Sequence, residues 1–311
     1  MKQLQIIDGA LRLCEVPILK PGPQQILVKV EAIGVNRADV LQVTGLYPSP
    51  DGSNVPGLEI AGYDVDSGSR IAALLPSGGY SQYVLADRQL TFKLPDWLDF
   101  STAAALPEAL CTSYMALIEK GSLTQSHNPL VVVHGGSSGI GDMLCQVAKI
   151  YGAEVITTVG SATKLSFCHN NGIADAYLYQ EQTWVEETKK KGGASLVIDI
   201  LGGPYLANNV KALRYGGKIV VLAVMNGSSG ELPLSSLLMK NASIIGTTLR
   251  SQDEETKGRY ISQISDIIAH IKDGLIQVHI DSTFSITDVD KAHARMNSRE
   301  HCGKIVLLAD W

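Results

Sequence analysis

Hydrophobic and polar positions change rhythm twice along this 311-residue chain. Near the start, Leu4–Ile7 and Leu11–Val16 flank Asp8-Gly9, a dipeptide suited to positive φ, which predicts a tight hairpin. Ile26–Ile33 alternates with period two behind Pro21-Gly22-Pro23, and Arg70–Leu75 and Gly79–Leu85 are shorter strand candidates. From Thr102 the period becomes helical: Ala103, Leu106, Leu110, Tyr114 and Leu117 return on one face, with Gly121 as the stop. A regular alternation follows. Strands are predicted at Leu130–Val133, Glu154–Val159, Ala174–Leu178, Leu196–Ile200, Lys218–Val224 and Ser243–Thr248. Between them lie helices at Ile140–Tyr151, Ala162–Asn171, Thr183–Lys191 and Pro204–Leu213. Strands spaced by such helices mean right-handed crossovers and a parallel sheet covered on both faces. The tail carries helices over Glu254–Lys272 and Val289–Asn297 and a last strand Gly303–Leu308, and is expected to rejoin the first domain.

Composition narrows the class. Hydrophobic residues at 45% and charged residues at 18% suit a globular protein with a sizeable core. The charge, 26 Lys and Arg against 31 Asp and Glu, comes to −5 with no basic cluster. That argues against nucleic acid or an anionic membrane as partner, because nothing is present to displace counterions. Five cysteines are scattered without a C-x-x-C pair, which fits a reducing compartment and neither a disulfide framework nor a zinc knuckle. No apolar run reaches membrane-spanning length, so a soluble cytosolic protein is expected.

The chemistry begins after Leu130–Val133, at His134-Gly135-Gly136-Ser137-Ser138-Gly139-Ile140-Gly141. Glycines let the backbone turn sharply, and a helix start offers unpaired N–H groups to a pyrophosphate. Strand, glycine loop and helix in this order predict dinucleotide binding. An NAD site places a carboxylate about 20 residues further on, to accept from the ribose 2′-hydroxyl. Here the next strand ends Val159-Gly160-Ser161 with Lys164 following, and no acid. A 2′-phosphate suits that hydroxyl and ammonium, so NADP(H) is favoured. Ser161 as a helix N-cap and Lys164 as a surface cation are the plainer alternatives.

The loop and its flanks resemble the zinc-independent quinone oxidoreductases of the medium-chain dehydrogenase/reductase superfamily, within them the p53-inducible subgroup. The resemblance is carried by Gly34-Val35-Asn36-Arg37-Ala38-Asp39, Gly45-Leu46-Tyr47, Pro56-Gly57-Leu58-Glu59-Ile60-Ala61-Gly62, Ala103-Ala104-Ala105-Leu106-Pro107-Glu108 and Cys111-Thr112-Ser113-Tyr114. It continues through Leu237-Leu238-Met239-Lys240, Gly246-Thr247-Thr248-Leu249-Arg250-Ser251 and Gly303-Lys304-Ile305-Val306-Leu307. It implies an α/β chain of two domains. One is a GroES-like β-barrel-type catalytic domain from residues 1–110 and 256–311, and the other a Rossmann NADP(H)-binding domain over 111–255. Zinc alcohol dehydrogenase relatives carry Cys at the position of Asn36 and His at that of Leu58, so no metal is expected here. Gly62–Arg70 is shorter than the usual family segment.

The resemblance also implies site roles. Asn36 and Tyr47 line the nicotinamide and acceptor end, with Thr112 near the nicotinamide. Gly136, Ser138, Gly139 and Ile140 meet the pyrophosphate. Ser161, Lys164 and Tyr179 surround the 2′-phosphate, and Met225 and Leu249 flank the cofactor. Loop packing for Tyr47, a rim place for Tyr179, a cap for Asn36, a structural role for His134 and a buried, inert Cys111 are the plainer readings. The implied reaction is hydride transfer from NADPH to a quinone or similar conjugated carbonyl, Tyr47 binding the acceptor oxygen or relaying a proton. A 2-alkenal or enone reductase, or a non-enzymatic NADPH-binding protein of crystallin or sensor type, are the alternatives. A short-chain dehydrogenase needs Tyr-x-x-x-Lys, and no tyrosine here has Lys four residues on. Ser243–Thr248, at the sheet edge, is expected to pair across a two-fold axis in a homodimer.

Overall fold

Asp8 and Gly9, at φ of 50° and 73°, turn β1 (Lys2–Ile7) back on β2 (Ala10–Glu15) as an antiparallel pair. The computed structural model describes every residue from Met1 to Trp311. A long strand β3 (Gln25–Val35) runs into a short helix α1 (Arg37–Val43). Then come β4 (Glu59–Asp64), β5 (Arg70–Leu74), β6 (Tyr83–Asp87) and β7 (Thr91–Lys93). The expected strand Gly79–Leu85 begins only at Tyr83. Gly79 instead abuts Gly57, where added side-chain atoms would collide, and its N–H donates to the Gly57 carbonyl at 3.1 Å. The short Gly62–Arg70 segment is the tight β4–β5 turn, closed by Gly68 N–H on the Asp64 carbonyl and Ser67 Oγ on Asp64 Oδ2.

The helix expected from Thr102 to Gly121 is three pieces. α2 (Phe100–Ala104) stops before Pro107, α3 (Pro107–Tyr114) restarts on it, and Met115–Lys120 is a π-helical turn ending at Gly121. Proline cannot donate to the preceding turn and disfavours helix in the residue before it, which breaks an otherwise continuous apolar face.

The alternating region follows: β8 (Leu130–His134), α4 (Gly139–Ile150), β9 (Glu154–Val159), α5 (Ala162–Asn170), β10 (Ala176–Leu178), α6 (Thr183–Lys190) and β11 (Ala194–Asp199). It closes with α7 (Leu206–Ala212), β12 (Leu213–Val221), α8 (Leu234–Met239) and β13 (Ser243–Gly246). The expected helix Pro204–Leu213 shortens because Gly203–Tyr205 forms a 3₁₀ turn and Leu213 already opens β12. All six strands are parallel, in the order β10-β9-β8-β11-β12-β13. The order runs outward from β8 in both directions, so the switch point of this doubly wound sheet lies between β8 and β11. Ligands bind at the carboxyl ends of strands at such a point.

The tail contributes α9 (Glu254–Lys272), β14 (Ile280–Ser285), α10 (Val289–Ser298) and β15 (Lys304–Leu308). β15 joins the N-terminal strands in a seven-stranded sheet, β14-β15-β3-β4-β5-β7, with β6 also paired to β3. The chain divides into two units. The first is Met1–Cys111 with Gln252–Ile271 and Gln277–Trp311, the second Thr112–Ser251 with Lys272–Ile276. Val28, Ile33, Ile60, Tyr80, Ile305 and Leu307 are buried in the first core, and Val132, Ile156, Trp184, Val197 and Ile219 in the second. No helix is long and apolar enough to cross a membrane.

Candidate active site

In the second unit the glycine loop joins β8 to α4. Gly135 takes φ of 78°, and a Cβ on Gly136 would stand 2.0 Å from Thr157 Oγ1, so the loop lies against β9 in a way only glycine permits. Ser138 caps α4: its Oγ accepts from Gly141 N–H at 3.0 Å and donates to the Gly135 carbonyl at 2.8 Å. The N–H groups of Gly139 and Ile140, first in the helix, have no intrahelical acceptor and carry the positive end of its dipole.

At the end of β9, Ser161 caps α5, accepting from Lys164 N–H at 3.4 Å. The cap reading therefore holds for its oxygen, while the hydroxyl hydrogen remains to be donated. Tyr179 follows β10 and is half-buried, and its Oη would be 3.0 Å from a Cβ on Gly160. The Tyr205 ring meets Tyr179 edge-on, centroids 5.5 Å apart. Ser161 and Tyr179 thus gather at Gly160, with no carboxylate between Val159 and Lys164. Met225 is exposed, its N–H donating to the Ile200 carbonyl just past β11, whereas Leu249 and Thr112 are buried.

His134, at the tip of β8, is fully buried. Its Nδ1 lies 2.6 Å from Thr158 Oγ1 and its Nε2 2.8 Å from Asn209 Oδ1, and Asn209 Nδ2 donates to Asp199 Oδ2 at 2.9 Å. Burial lowers the His134 pKa, so the ring is a neutral part of the framework. Cys111 is buried and its thiol is raised well above its ordinary value, chiefly by burial, which removes it as a nucleophile.

In the first unit, α1 positions both acceptor-end candidates. Asn36 is its N-cap, and Tyr47, just beyond its end, donates its N–H to the Leu41 carbonyl at 3.2 Å. Asn36 is buried among charges that sequence reasoning did not connect to it. Its Nδ2 donates to Glu59 Oε1 at 2.8 Å, and Lys304 Nζ donates to Asn36 Oδ1 at 2.8 Å and also to Glu59 Oε1. Glu59 Oε2 accepts from Glu108 N–H at 2.8 Å. Asp39 accepts from the N–H groups of Asn36 and Gly57, and burial pushes its carboxyl up to about 7, with Glu59 adding to the rise and Lys304 and the hydrogen bonds opposing it. Register explains the meeting. Ile305 pairs with Val35 and Ile33 with Ile60, which brings the starts of β15 and β4 to the end of β3. Nowhere do three His, Cys, Asp or Glu side chains gather in a way that could hold a metal.

Comparison with known proteins places the chain in a family. Residues 22–96 match the alcohol dehydrogenase GroES-like domain and residues 139–266 the zinc-binding dehydrogenase domain. The chain is 30% identical over 310 residues to the quinone oxidoreductase of Homo sapiens, covering 94% of this chain and 91% of that protein. Its fold is similar to the quinone oxidoreductase from Thermus thermophilus, solved also in complex with NADPH, with TM-score 0.87 and 25% identity over 99% of this chain and 100% of that one. The Pseudomonas syringae quinone oxidoreductase gives TM-score 0.84 at 25% identity, covering 99% of each chain. A GroES-like unit joined to a Rossmann unit defines the medium-chain dehydrogenase/reductase architecture. Within that superfamily the chain belongs to the quinone oxidoreductase family.

Proposed function

We propose that this chain is an NADPH-dependent reductase that delivers a hydride to a quinone without a metal. The observation that carries the cofactor half is the end of β9, where Ser161 and Tyr179 flank Gly160 and no acid stands to repel a 2′-phosphate. Full-length likeness to quinone oxidoreductases supports the acceptor half.

The residues present fit the group. Gly136, Ser138, Gly139 and Ile140 receive the pyrophosphate at the start of α4, and Ser161, Lys164 and Tyr179 hold the 2′-phosphate. Thr112, Met225 and Leu249 steady the remainder. NADPH, when bound, supplies the hydride. A quinone takes up that hydride and one proton to become a hydroquinone, and its oxygens are stable enough as anions to need little acid help. Asn36 donates to the oxygen that gains charge, and the Tyr47 hydroxyl binds it or relays the proton, recovering its own from water. Asp39 and Glu59 are spent on donors of their own chain and offer a metal no free set of ligands.

The test is NADPH oxidation with a panel of quinones, 2-alkenals and enones, beside fluorescence titration with NADPH and NADH. Quinone turnover with tighter NADPH binding is expected. Turnover of enones alone would move the reading to an enone reductase, and binding without any turnover to a sensor. Tyr47→Phe leaves kcat/KM unchanged if Tyr47 only packs. We also propose a homodimer built along β13, one edge strand of the parallel sheet, beside exposed Leu234, Leu238 and Met239. Light scattering after gel filtration checks it, and a monomer at micromolar concentration would refute it.

A further inference from the structure

The Asn36 carboxamide is gripped at both ends. Oδ1 accepts from Lys304 Nζ at 2.8 Å, and Nδ2 donates to Glu59 Oε1 at 2.8 Å. An ammonium only donates and a carboxylate only accepts. A flipped amide would set NH₂ against the ammonium and C=O against the carboxylate, so a single orientation is compatible with both partners. Nδ2 makes its second hydrogen bond, to the Gly34 carbonyl, at a long 3.4 Å, a weak hold that a better acceptor can replace. Asn36, Glu59 and Lys304 are 7%, 0% and 5% exposed, so water does little to screen these charges. Gly34 keeps the space: a Cβ there would stand 2.4 Å from Glu59 Oε1.

We propose that Lys304, with Glu59 as its counter-ion, is a positioning residue for the reduction. It holds the Asn36 amide in the one orientation that leaves an N–H for the acceptor oxygen, and its charge on Oδ1 polarises that N–H into a stronger donor. The gain is largest when negative charge has built up on the acceptor oxygen, so it falls on the rate of transfer more than on binding. Neither Lys304 nor Glu59 touches the acceptor. The inference rests on the reading of Asn36 as an acceptor-side residue. The competing role is a purely structural ion pair that ties β15 to β4.

Lys304→Met alone strands a buried carboxylate and risks unfolding, so the informative variant is Glu59→Gln with Lys304→Met. It removes both charges, and Gln still accepts from Glu108 N–H. The double variant is expected to keep its melting temperature and its NADPH affinity, while kcat with a quinone falls about 10- to 100-fold. Placed on an Asn36→Ala background, the same two changes should move kcat by less than about two-fold, because their effect runs through Asn36. Wild-type kcat in the double variant, or a full further loss on the Asn36→Ala background, overturns the proposal. A readout without turnover separates it from the reading of function. In a ¹H–¹⁵N spectrum the Asn36 side-chain amide, assigned by its loss in Asn36→Ala, should exchange slowly with water, and about ten-fold faster or more in the double variant. If the wild type reduces no acceptor yet the exchange behaves so, the reading of function fails and the grip on Asn36 stands. Equal exchange in the two proteins sinks the grip, whatever the enzyme reduces.

Discussion

Each unit buries one polar cluster beside its candidate residues, and the two are built on opposite electrostatic plans. The first unit gathers ionisable groups, with the Lys304–Glu59 pair and Asp39 around Asn36. The second strings together mostly neutral groups. Because Asn209 Nδ2 donates to Asp199, Asn209 Oδ1 faces His134 Nε2, which must therefore carry the hydrogen. Nδ1 is then left to accept from the Thr158 hydroxyl. Every donor in that chain points toward Asp199, whose Oδ1 takes the N–H groups of Leu201 and Gly202 at 2.7 and 3.0 Å. At the other end the Thr158 carbonyl accepts from Gly135 N–H at 2.7 Å, so the chain props the glycine loop. An ion cluster fails when a charge loses its partner, whereas a neutral chain loses one hydrogen bond at a time.

The largest predicted effect follows from that difference. Lys304→Met leaves the buried Glu59 carboxyl without its cation, and is expected to cost the first unit about 3–5 kcal/mol. Asn209→Leu breaks the neutral chain in its middle and leaves Asp199 Oδ2 and His134 Nε2 without a partner, at a cost of about 1–3 kcal/mol to the second unit. Urea unfolding followed by probes in each unit measures both. If the asparagine change proves as costly as the lysine change, the contrast between the two plans is lost.

How well each cluster could be read from sequence follows the same division. The glycine loop, the cap at Ser138 and helix α4 are local features, and a strand, a glycine run and an apolar helix face in series announce them. The grip on Asn36 joins residues 268 and 245 positions from Lys304. It exists because of the β15–β3–β4 register, which no local pattern encodes. β4, rich in small residues as Glu-Ile-Ala-Gly-Tyr-Asp, and β14, Ile-Asp-Ser-Thr-Phe-Ser, lack the alternation that marks a strand, and both escaped prediction. The turn from Ala105 to Pro107 was written in the proline and was overridden by the regularity of the apolar positions around it.

pH sharpens the comparison further. Burial raises Asp39 to about 7, from an ordinary value near 4, so its contribution to folding is complete at low pH and is lost as pH rises through that range. Burial lowers His293, 2.9 Å from the Tyr80 hydroxyl, to about 4, so its contribution is complete above about 6.5 and is lost as pH falls toward 4. Within the first unit the two oppose each other between about pH 4 and 6.5, each limited to about 1.4 kcal/mol per pH unit. Asp39→Asn should leave a stability that rises with pH across this interval, and His293→Gln one that falls. In the second unit burial lowers His134, so its contribution to stability should climb as pH rises toward 6.5. Urea midpoints at three pH values decide the matter; parallel slopes in wild type and both variants would remove Asp39 and His293 from the account.

The smallest effect separates structure from recognition at a single hydroxyl. Ser161 Oγ accepts from Lys164 N–H at 3.4 Å, beyond the usual range for such a bond, so the cap contributes little. Ser161→Ala should therefore change stability by only about 0.5 kcal/mol, the low end for a lost cap. The hydroxyl hydrogen has a second use, to donate to a 2′-phosphate beside Lys164 and Tyr179. Losing it should weaken NADPH binding by about five-fold, or ~1 kcal/mol, and leave NADH binding unchanged. Dissociation constants for both nucleotides, taken on the same preparation as the urea midpoint, put the two uses side by side. An equal loss for NADPH and NADH would return Ser161 to the role of a cap, and the preference for the phosphorylated cofactor would then have to come from Lys164 and Tyr179 alone.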